Sequence, residues 1–281
     1  MTKSLGGREV AEKINKENRE RAARLREQGT LPCLAIIRVG ERADDIAYER
    51  RAVRSAEATG IEVTLRQLAD DAAQEELISL IRGINADDSI HGVLLLRPLP
   101  RRMDEETVRN SLDPRKDVDG ITDISLAGVF CGALKAGYPP CTAEACMRIL
   151  DHYDIDIEGK NAVVVGRSQV VGKPLAMMLL DRNATVTVCH TRTGDLASFA
   201  READILVAAA GRAGAVGAEC LSPGQVVIDV GINVIDGKLC GDVDAEAAEG
   251  TVAARTPVPG GVGAVTVSVL LSHLLQTAEG K

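Results

Sequence analysis

The strongest constraint on the fold is a regular alternation between short apolar runs and longer amphipathic stretches along most of the chain. Seven runs are rich in Val, Ile, Leu and Ala, and they cover residues 31–40, 61–68, 91–96, 160–166, 184–190, 203–211 and 224–231. Helical stretches accompany them at residues 7–28, 43–59, 72–85, 142–153, 173–181 and 264–278. Strands that alternate with helices predict right-handed crossovers and parallel sheets, which is the α/β fold class.

Chain length and a break in this pattern predict two domains. At 281 residues the chain exceeds an ordinary single core, and a Gly- and Pro-containing segment at 111–142 interrupts the alternation. We expect an N-terminal parallel α/β domain of residues 1–141 plus 266–281, and a second open α/β domain of residues 142–265. The final helix would then return to pack on the first domain. Aromatic residues make up only 2% of the chain, so both cores are predicted to be aliphatic.

Composition excludes several classes of protein. The net charge is −8 and no basic block is present, so a nucleic-acid partner is not expected. No run of 18 apolar residues exists and the N-terminus lacks a signal-peptide pattern, which predicts a cytoplasmic protein without membrane spans. The seven cysteines are scattered, and neither they nor the four histidines have ligand spacing, so reduced thiols and no metal site are expected.

The turn after the run at 160–166 reads "GRSQVVGKP" and opens a predicted helix. Amides at a helix N-terminus suit a phosphate, although such a turn can also carry glycine for purely steric reasons. About 20 residues on, the next strand ends in "CHTRT", where dinucleotide-binding folds contact the adenine ribose. Cations and hydroxyls there, in place of an acid, favour the 2′-phosphate of NADP, the alternative being solvated surface arginines. The candidate residues are Gly166, Arg167, Ser168, Val171, Gly172, His190, Thr191 and Arg192.

Two further strand ends, "AAAG" at 208–211 and "DVGIN" at 229–233, are predicted to lie at the same sheet edge. Open α/β sheets bind ligands at the carboxyl edge, and small residues allow a cofactor ring to approach the backbone. These strand ends add Ala210, Gly211, Gly231, Ile232 and Asn233 to the candidate cofactor site, and together with the preceding turn they predict a Rossmann-like dinucleotide-binding domain.

Seven motifs occur together and in order: "KDVDG", "VVVGRSQVVGKP", "ATVTVCHTRT", "ADILVAAAG", "VVIDVGIN", "GDVD" and "TPVPGGVG". With them the chain resembles the methylenetetrahydrofolate dehydrogenase/methenyltetrahydrofolate cyclohydrolase family over nearly its whole length. The resemblance implies tetrahydrofolate derivatives as substrates, NADP as cofactor and a homodimer formed through the nucleotide domain. It implies that Asp119 binds the pterin and that Tyr48 stacks on the aminobenzoate of the folate. It further implies folate contacts from Leu96, Pro98, Gly260 and Gly261.

The implied role of Asp119 has a chemical reason. A pterin presents an amide N–H beside an exocyclic amino group, and one carboxylate accepts both hydrogen bonds. The neighbouring Asp117 and Asp123 fit turn or helix-capping roles better. A plain core role remains open for Tyr48.

The sequence departs from the family pattern around the expected folate site. The family lysine four residues after the tyrosine is Ala52, and the family glutamine before "LP" is Arg97. Asp45 replaces a serine, Ala143 and Glu144 follow "PCT", and Ala264 ends the "GGVG" motif. Arg97 could hold a water or a folate carboxylate, or pair with Asp45 or Glu144.

These departures affect the two half-reactions of the family differently. Hydride loss from the carbon between N5 and N10 requires positioning, whereas adding water to the methenyl product requires an acid–base group. Alanine cannot titrate and a guanidinium stays protonated. We therefore expect an NADP-dependent dehydrogenase, with Tyr48, Arg97 and Asp119 at the reacting centre and weak or absent cyclohydrolase activity. An amine from Lys116 or Lys135 reaching the Ala52 position would overturn this. The alternatives are an ordinary bifunctional enzyme, a non-catalytic folate-binding relative and a dehydrogenase with another substrate.

Overall fold

The computed structural model describes residues 1–132 and 137–280 and divides the chain into two compact units. The three-stranded unit comprises Lys13–Cys141 and Val267–Lys281, and the six-stranded unit comprises Met1–Glu12 and Thr142–Thr266. Both sheets are parallel and α/β in character, which confirms the predicted fold class.

In the three-stranded unit, the middle strand pairs in parallel with a strand on each side, in the order β3-β2-β4. The strands are β2 (Cys33–Val39), β3 (Glu62–Leu68) and β4 (Gly92–Leu95), and the helices are α1 (Gly7–Glu27, from Lys13 on), α2 (Ala43–Thr59), α3 (Gln74–Asn85), α4 (Glu105–Arg109), α5 (Asp123–Phe130) and α10 (Val262–Ala278, from Val267 on). An aliphatic core containing Ile37, Ile81 and Leu95 fills this unit, as expected from its near absence of aromatics. The last helix is tied to α1 by an Asn18 Nδ2–Ser268 O hydrogen bond of 2.9 Å and an Arg21–Glu279 ion pair of 2.9 Å.

Helices α4 and α5 differ from the sequence prediction, which placed α5 within a loop-rich segment. Asp104 caps α4 by accepting from the N–H of Glu106, and Thr122 caps α5 by accepting from the N–H of Ser125. These caps satisfy N–H groups that a short helix leaves unpaired. Both helices have so few residues that their periodicity does not stand out from a loop.

In the six-stranded unit, the strands follow the order β1-β11-β8-β7-β5-β6. They are β1 (Lys3–Ser4), β5 (Asn161–Val165), β6 (Thr185–Cys189), β7 (Ile205–Ala208), β8 (Val226–Asp229) and β11 (Ala254–Arg255). The helices are α6 (Cys141–His152), α7 (Gly172–Asp181), α8 (Leu196–Arg201) and α9 (Ala245–Ala248), and a small antiparallel hairpin consists of β9 (Asn233–Ile235) and β10 (Lys238–Cys240). An aliphatic core with Val163, Leu206 and Val227 packs within this unit.

The first twelve residues belong to the six-stranded unit, whereas the sequence analysis assigned them to the other domain. The reason is the two-residue strand β1, which extends the sheet by pairing in parallel with β11, Lys3 opposite Ala254. The backbone N–H of Leu5 then donates to the carbonyl of Arg255 at 2.8 Å. A strand of two residues has no periodic signal, so the pattern of the sequence could not indicate it.

Within the two described stretches, no helix combines the length and the apolar character needed to cross a bilayer.

Candidate active site

The turn between β5 and α7 is tightly packed, and glycine is required at both of its ends. Gly166 has φ +134°, and a Cβ on it would lie 2.1 Å from the carbonyl oxygen of Ala209. A Cβ on Gly172 would lie 2.2 Å from the carbonyl oxygen of Gly166. Between them, Ser168 Oγ accepts from the N–H of Val171 at 3.1 Å, and Arg167 and Ser168 are exposed. The turn therefore presents a cation and a hydroxyl beside the N-terminus of α7, where an anion is stabilised.

The second turn, after β6, lies beside the first because β5 and β6 are paired neighbours, Val165 opposite Cys189. The N–H of His190 donates to Thr193 Oγ1 at 2.9 Å, and the N–H of Arg192 donates to His190 Nδ1 at 3.1 Å. This arrangement leaves Thr191 and Arg192 exposed. The structure thus brings together the two turns from which we predicted contacts with a 2′-phosphate.

Two aspartates that the sequence analysis did not assign to the site fix the ends of β7 and β8. Asp242 is fully buried, and its Oδ2 accepts from the N–H groups of Ala210 and Gly211 at 2.6 and 2.8 Å. Its Oδ1 accepts from Asn233 Nδ2 at 2.9 Å. One carboxylate therefore holds three of the predicted cofactor-site residues. The only signal in the sequence was the motif "GDVD", whose spacing does not reveal this role.

Asp229 supports Asp242 from the end of β8. Asp229 Oδ1 accepts from the N–H groups of Gly231 and Asp242 at 3.0 and 2.9 Å, and burial raises the pKa of its carboxyl. A Cβ on Gly231 would lie 2.3 Å from Asp242 Oδ1, which explains the need for glycine there. The predicted Ile232, by contrast, is 68% exposed beside these buried acids.

In the three-stranded unit, the segment "DVDGITDI" contains three acids, and their surroundings differ. Asp117 is fully buried and accepts from Ile121 N, Thr122 N and Ser125 Oγ at 2.9, 2.8 and 2.6 Å, which confirms its turn role. Asp123 lies in the first turn of α5 and pairs with Arg109 at 2.6 Å. Asp117 is therefore a structural acid, and Asp123 is an exposed helix-terminal acid engaged in an ion pair.

Asp119 has a different setting, since it stays partly accessible. Burial of its carboxylate raises its pKa to about 6, and the Asp117 anion acts in the same direction. The Arg97 cation acts in the opposite direction and is the strongest of the groups that lower the pKa of Asp119. Asp119 and Arg97, both predicted site residues, are therefore electrostatically coupled in this unit. A buried acid with a raised pKa beside a cation is a candidate for a functional site.

Arg97 follows β4, and its side chain is 19% exposed. Its Nη1 donates to Glu105 Oε1 at 3.1 Å, and Glu105 Oε2 accepts from the N–H of Leu99 at 3.2 Å. The suggested pairing with Asp45 is therefore corrected to Glu105, whereas the suggested pairing with Glu144, which belongs to the other unit, stays a prediction. Asp45 instead lies 3.9 Å from Arg42, and Glu144 binds Arg148 at 2.7 Å. Glu105 was missed because it enters from α4, with no sequence spacing that links it to β4. Leu96 is buried beside Arg97, and Pro98 is exposed.

Helix α2 carries Tyr48 and, one turn later, Ala52. Tyr48 is half-buried, and the guanidinium of Arg51 lies over its ring, 5.1 Å from the centroid. Ala52 is completely buried. On the same helix, burial raises the pKa of Asp45 against the opposing charge of Arg42. The position for which the family resemblance implies a lysine therefore carries only a buried methyl group.

Two lysines were named as possible substitutes for the family lysine, and the structure describes only Lys116. Lys116 Nζ donates to the carbonyls of Ile84 and Asp87 at 2.8 and 2.6 Å, where it binds the C-terminal end of α3. Burial lowers its pKa. Lys135 lies outside the described residues.

The predicted folate contacts Gly260 and Gly261 belong to the six-stranded unit. The carbonyl of Gly260 accepts from the N–H of Gly7 at 2.8 Å. Gly261 is buried, and a Cβ on it would lie 2.5 Å from the carbonyl oxygen of Pro257. Across residues 1–132 and 137–280, no group of three or more His, Cys, Asp or Glu side chains could hold a metal ion.

Two family models match the chain. The catalytic domain of tetrahydrofolate dehydrogenase/cyclohydrolase matches residues 5–119, and the NAD(P)-binding domain of the same family matches residues 140–281. The bifunctional protein FolD of Clostridium botulinum (strain Langeland) is 47% identical over 280 residues, which is 99% of each chain.

Solved structures are similar over the whole chain. The bifunctional FolD methylenetetrahydrofolate dehydrogenase/cyclohydrolase of Campylobacter jejuni has a TM-score of 0.97 at 38% identity, covering 100% of this chain and 99% of the other. A Trypanosoma brucei methylenetetrahydrofolate dehydrogenase-cyclohydrolase, solved with NADP cofactor and an inhibitor, has a TM-score of 0.94 at 35% identity, covering 99% and 98%.

Proposed function

Because the chain belongs to the tetrahydrofolate dehydrogenase/cyclohydrolase family, we propose that it oxidises 5,10-methylenetetrahydrofolate to 5,10-methenyltetrahydrofolate by hydride transfer to NADP. We further propose that its cyclohydrolase activity is weak or absent. The observation that carries the second statement is the fully buried methyl group of Ala52 at the position of the family lysine.

The dehydrogenase step depends on positioning. The nitrogen lone pairs of the substrate expel the hydride, and the product is a delocalised cation, so the protein need neither donate nor accept a proton. It must hold the nicotinamide C4 within about 3–3.5 Å of the reacting carbon. Asp119 is partly accessible and would accept the two N–H donors of the pterin, and Tyr48 would stack on the aminobenzoate.

NADP is favoured over NAD by the exposed side chains of the two adjoining turns. Arg167, Thr191 and Arg192 offer two guanidinium groups and a hydroxyl, and residues 190–193 include no Asp or Glu that could accept from a ribose 2′-hydroxyl. Guanidinium groups bind phosphate through charge-assisted hydrogen bonds. The Trypanosoma brucei relative was solved with NADP, which supports the same choice.

The cyclohydrolase step needs a group that gives and takes protons while water attacks the methenyl carbon, a contribution of about 10²–10⁴-fold. Arg97 is unsuited to this role, since a guanidinium stays protonated and its Nη1 already binds Glu105 at 3.1 Å. Lys116 is bound to two carbonyls at the end of α3. Among the described residues, neither Arg97 nor Lys116 is therefore a suitable replacement for the family lysine, and Lys135 lies outside those residues.

The ordinary bifunctional enzyme is the second candidate, because the Clostridium botulinum relative is called bifunctional at 47% identity. In that case a water held by Arg97 would have to replace the lysine.

We also propose a homodimer formed through the six-stranded unit, as the family resemblance implies. Light scattering of the purified protein tests it, and a monomeric mass would contradict it.

Steady-state kinetics of both half-reactions test the proposed function. The purified protein is given methylenetetrahydrofolate with NADP or NAD in parallel, and separately methenyltetrahydrofolate alone, with the Campylobacter jejuni protein as a control. We expect NADP-dependent oxidation and hydrolysis at least about 100-fold slower than that of the control. Hydrolysis at a rate similar to oxidation would establish the bifunctional alternative. Folate binding without turnover would establish a non-catalytic relative, and turnover of another substrate alone would refute the assignment.

A further inference from the structure

A buried histidine on the C-terminal helix contacts the peptide group that precedes Asp119. His273 is only 4% exposed, and its Nδ1 lies 2.9 Å from the carbonyl oxygen of Val118. A carbonyl oxygen only accepts, so Nδ1 carries the proton in this contact. Cys141 Sγ donates to the same oxygen at 3.2 Å, but a thiol is a weak donor. His273 is therefore the stronger of the two donors to the Val118 carbonyl.

The histidine ring is itself fixed in place. Tyr138 stacks on it with ring centroids 4.6 Å apart and an interplanar angle of 18°. The Tyr138 hydroxyl lies 2.9 Å from Thr277 Oγ1, which donates to the carbonyl of Arg115 at 3.1 Å. Thr277 lies one turn after His273 on α10. The same helix therefore carries the histidine and also holds the hydroxyl of the tyrosine that stacks on it.

The backbone on both sides of Asp119 has little room to move. Val118 is buried, and a Cβ on Gly92 would lie 2.6 Å from its Cγ1. Gly120 has φ +70°, and a Cβ on it would lie 2.5 Å from the Pro140 nitrogen. Between these packed residues, the Val118–Asp119 peptide is oriented by the donors to its carbonyl. The carboxylate direction follows from the orientation of that peptide.

We propose that His273 is a positioning residue for folate: its Nδ1–H holds the Val118 carbonyl, and thereby aims the Asp119 carboxylate at the two pterin donors. The inference deepens the proposed function and rests on it. A displacement of about 1 Å in a group that positions substrate can cost about 10²-fold in rate. An apolar side chain would fill the same volume without burying a polar ring, so packing alone does not account for histidine here.

Two amide substitutions of His273 distinguish loss of the hydrogen-bond donor from a change in side-chain volume. In His273→Asn the side-chain amide can place an N–H near the Nδ1 position, whereas in His273→Gln the amide reaches further, towards the Nε2 position. His273→Phe keeps a ring for stacking on Tyr138 but has no donor. Arg21→Met removes the hydrogen bonds to Ser272 on the same helix and the ion pair with Glu279 just after it, and is the control for loss of helix packing alone.

The measured quantities are KM for methylenetetrahydrofolate, KM for NADP, kcat and Tm. We expect His273→Gln and His273→Phe to raise the folate KM about tenfold or more, with the KM for NADP within about twofold. His273→Asn should stay within about threefold of the wild type, and Arg21→Met should lower Tm without changing the folate KM.

Equal folate KM values for the Asn and Gln variants would overturn the inference, and so would a parallel rise in both KM values. If the Phe variant does not fold, the Asn and Gln pair decides. A wild-type protein that does not oxidise methylenetetrahydrofolate would refute the proposed function itself, and the inference with it. An active wild type with unaffected variants refutes only the inference.

Discussion

The raised pKa of Asp119 predicts how folate use depends on pH. If only the carboxylate accepts both pterin donors, the folate KM should rise as pH falls through the pKa of Asp119, about 6. The fraction ionised is then about 90% at pH 7, 50% at pH 6 and 25% at pH 5.5. The folate KM should therefore increase about fourfold between pH 8 and pH 5.5, while kcat stays nearly constant because bound substrate holds the carboxylate ionised.

Removing the Arg97 cation should move this pH dependence. Four groups act on the Asp119 carboxylate: Arg97, Cys141 and His273 lower its pKa, and Asp117 raises it. In Arg97→Gln the cation is lost and Glu105 keeps its negative charge, so the pKa of Asp119 rises further. The KM increase should then begin at a higher pH than in the wild type.

The assay is the initial rate of NADPH formation at saturating NADP, from pH 5.5 to 8.5. Glu105→Gln is the matched control, because it removes the partner of Arg97 but leaves the cation, and it should not move the KM increase upward. A folate KM that stays flat down to pH 5.5, or an Arg97→Gln profile that overlays the wild type, would refute the assigned role of Asp119.

Three other substitutions test separate parts of the account. Asp119→Asn should raise the free energy of unfolding by about 1–3 kcal/mol at pH 8 while weakening folate binding. The folded-state pKa of about 6 lies above the ordinary value of 3.8, so this gain should shrink between pH 6 and pH 4 in urea unfolding, and a constant gain would contradict it. Ala52→Lys should not restore full hydrolysis alone, because Arg97 lowers the proton affinity of a nearby lysine. The double variant with Arg97→Gln should hydrolyse methenyltetrahydrofolate at least about tenfold faster than the single variant, and equal rates would exclude this reasoning. Arg192→Glu should lower the NADP-to-NAD preference in kcat/KM about tenfold or more, and an unchanged ratio would remove Arg192 from the 2′-phosphate site.

The sequence predicted the elements that have a clear period. Helix α2 has the predicted bounds of 43 and 59, and each of the seven apolar runs contains a strand. The tight turn after β5 was also predicted, because glycines at 166 and 172 are needed where backbone atoms pass close to each other. These features are local, so neighbouring residues carry the information.

Features that depend on distant residues could not be predicted in this way. The strand β1 exists only because it pairs with β11, some 250 residues later in the chain. Asp242 holds the N–H groups of Ala210 and Gly211 across a gap of more than 30 residues, and no spacing rule points to that contact. Glu105, which binds Arg97, likewise comes from α4, and no sequence spacing links that helix to the end of β4.

The central claim is that this protein can remove a hydride from its folate substrate but lacks the titratable side chain needed to add water to the product. The most direct test counts the methenyltetrahydrofolate that accumulates for each NADPH formed in one reaction mixture, after subtraction of spontaneous hydrolysis. The account predicts close to one methenyltetrahydrofolate per NADPH throughout the progress curve. Steady conversion to 10-formyltetrahydrofolate, with methenyltetrahydrofolate well below the NADPH formed, would contradict it.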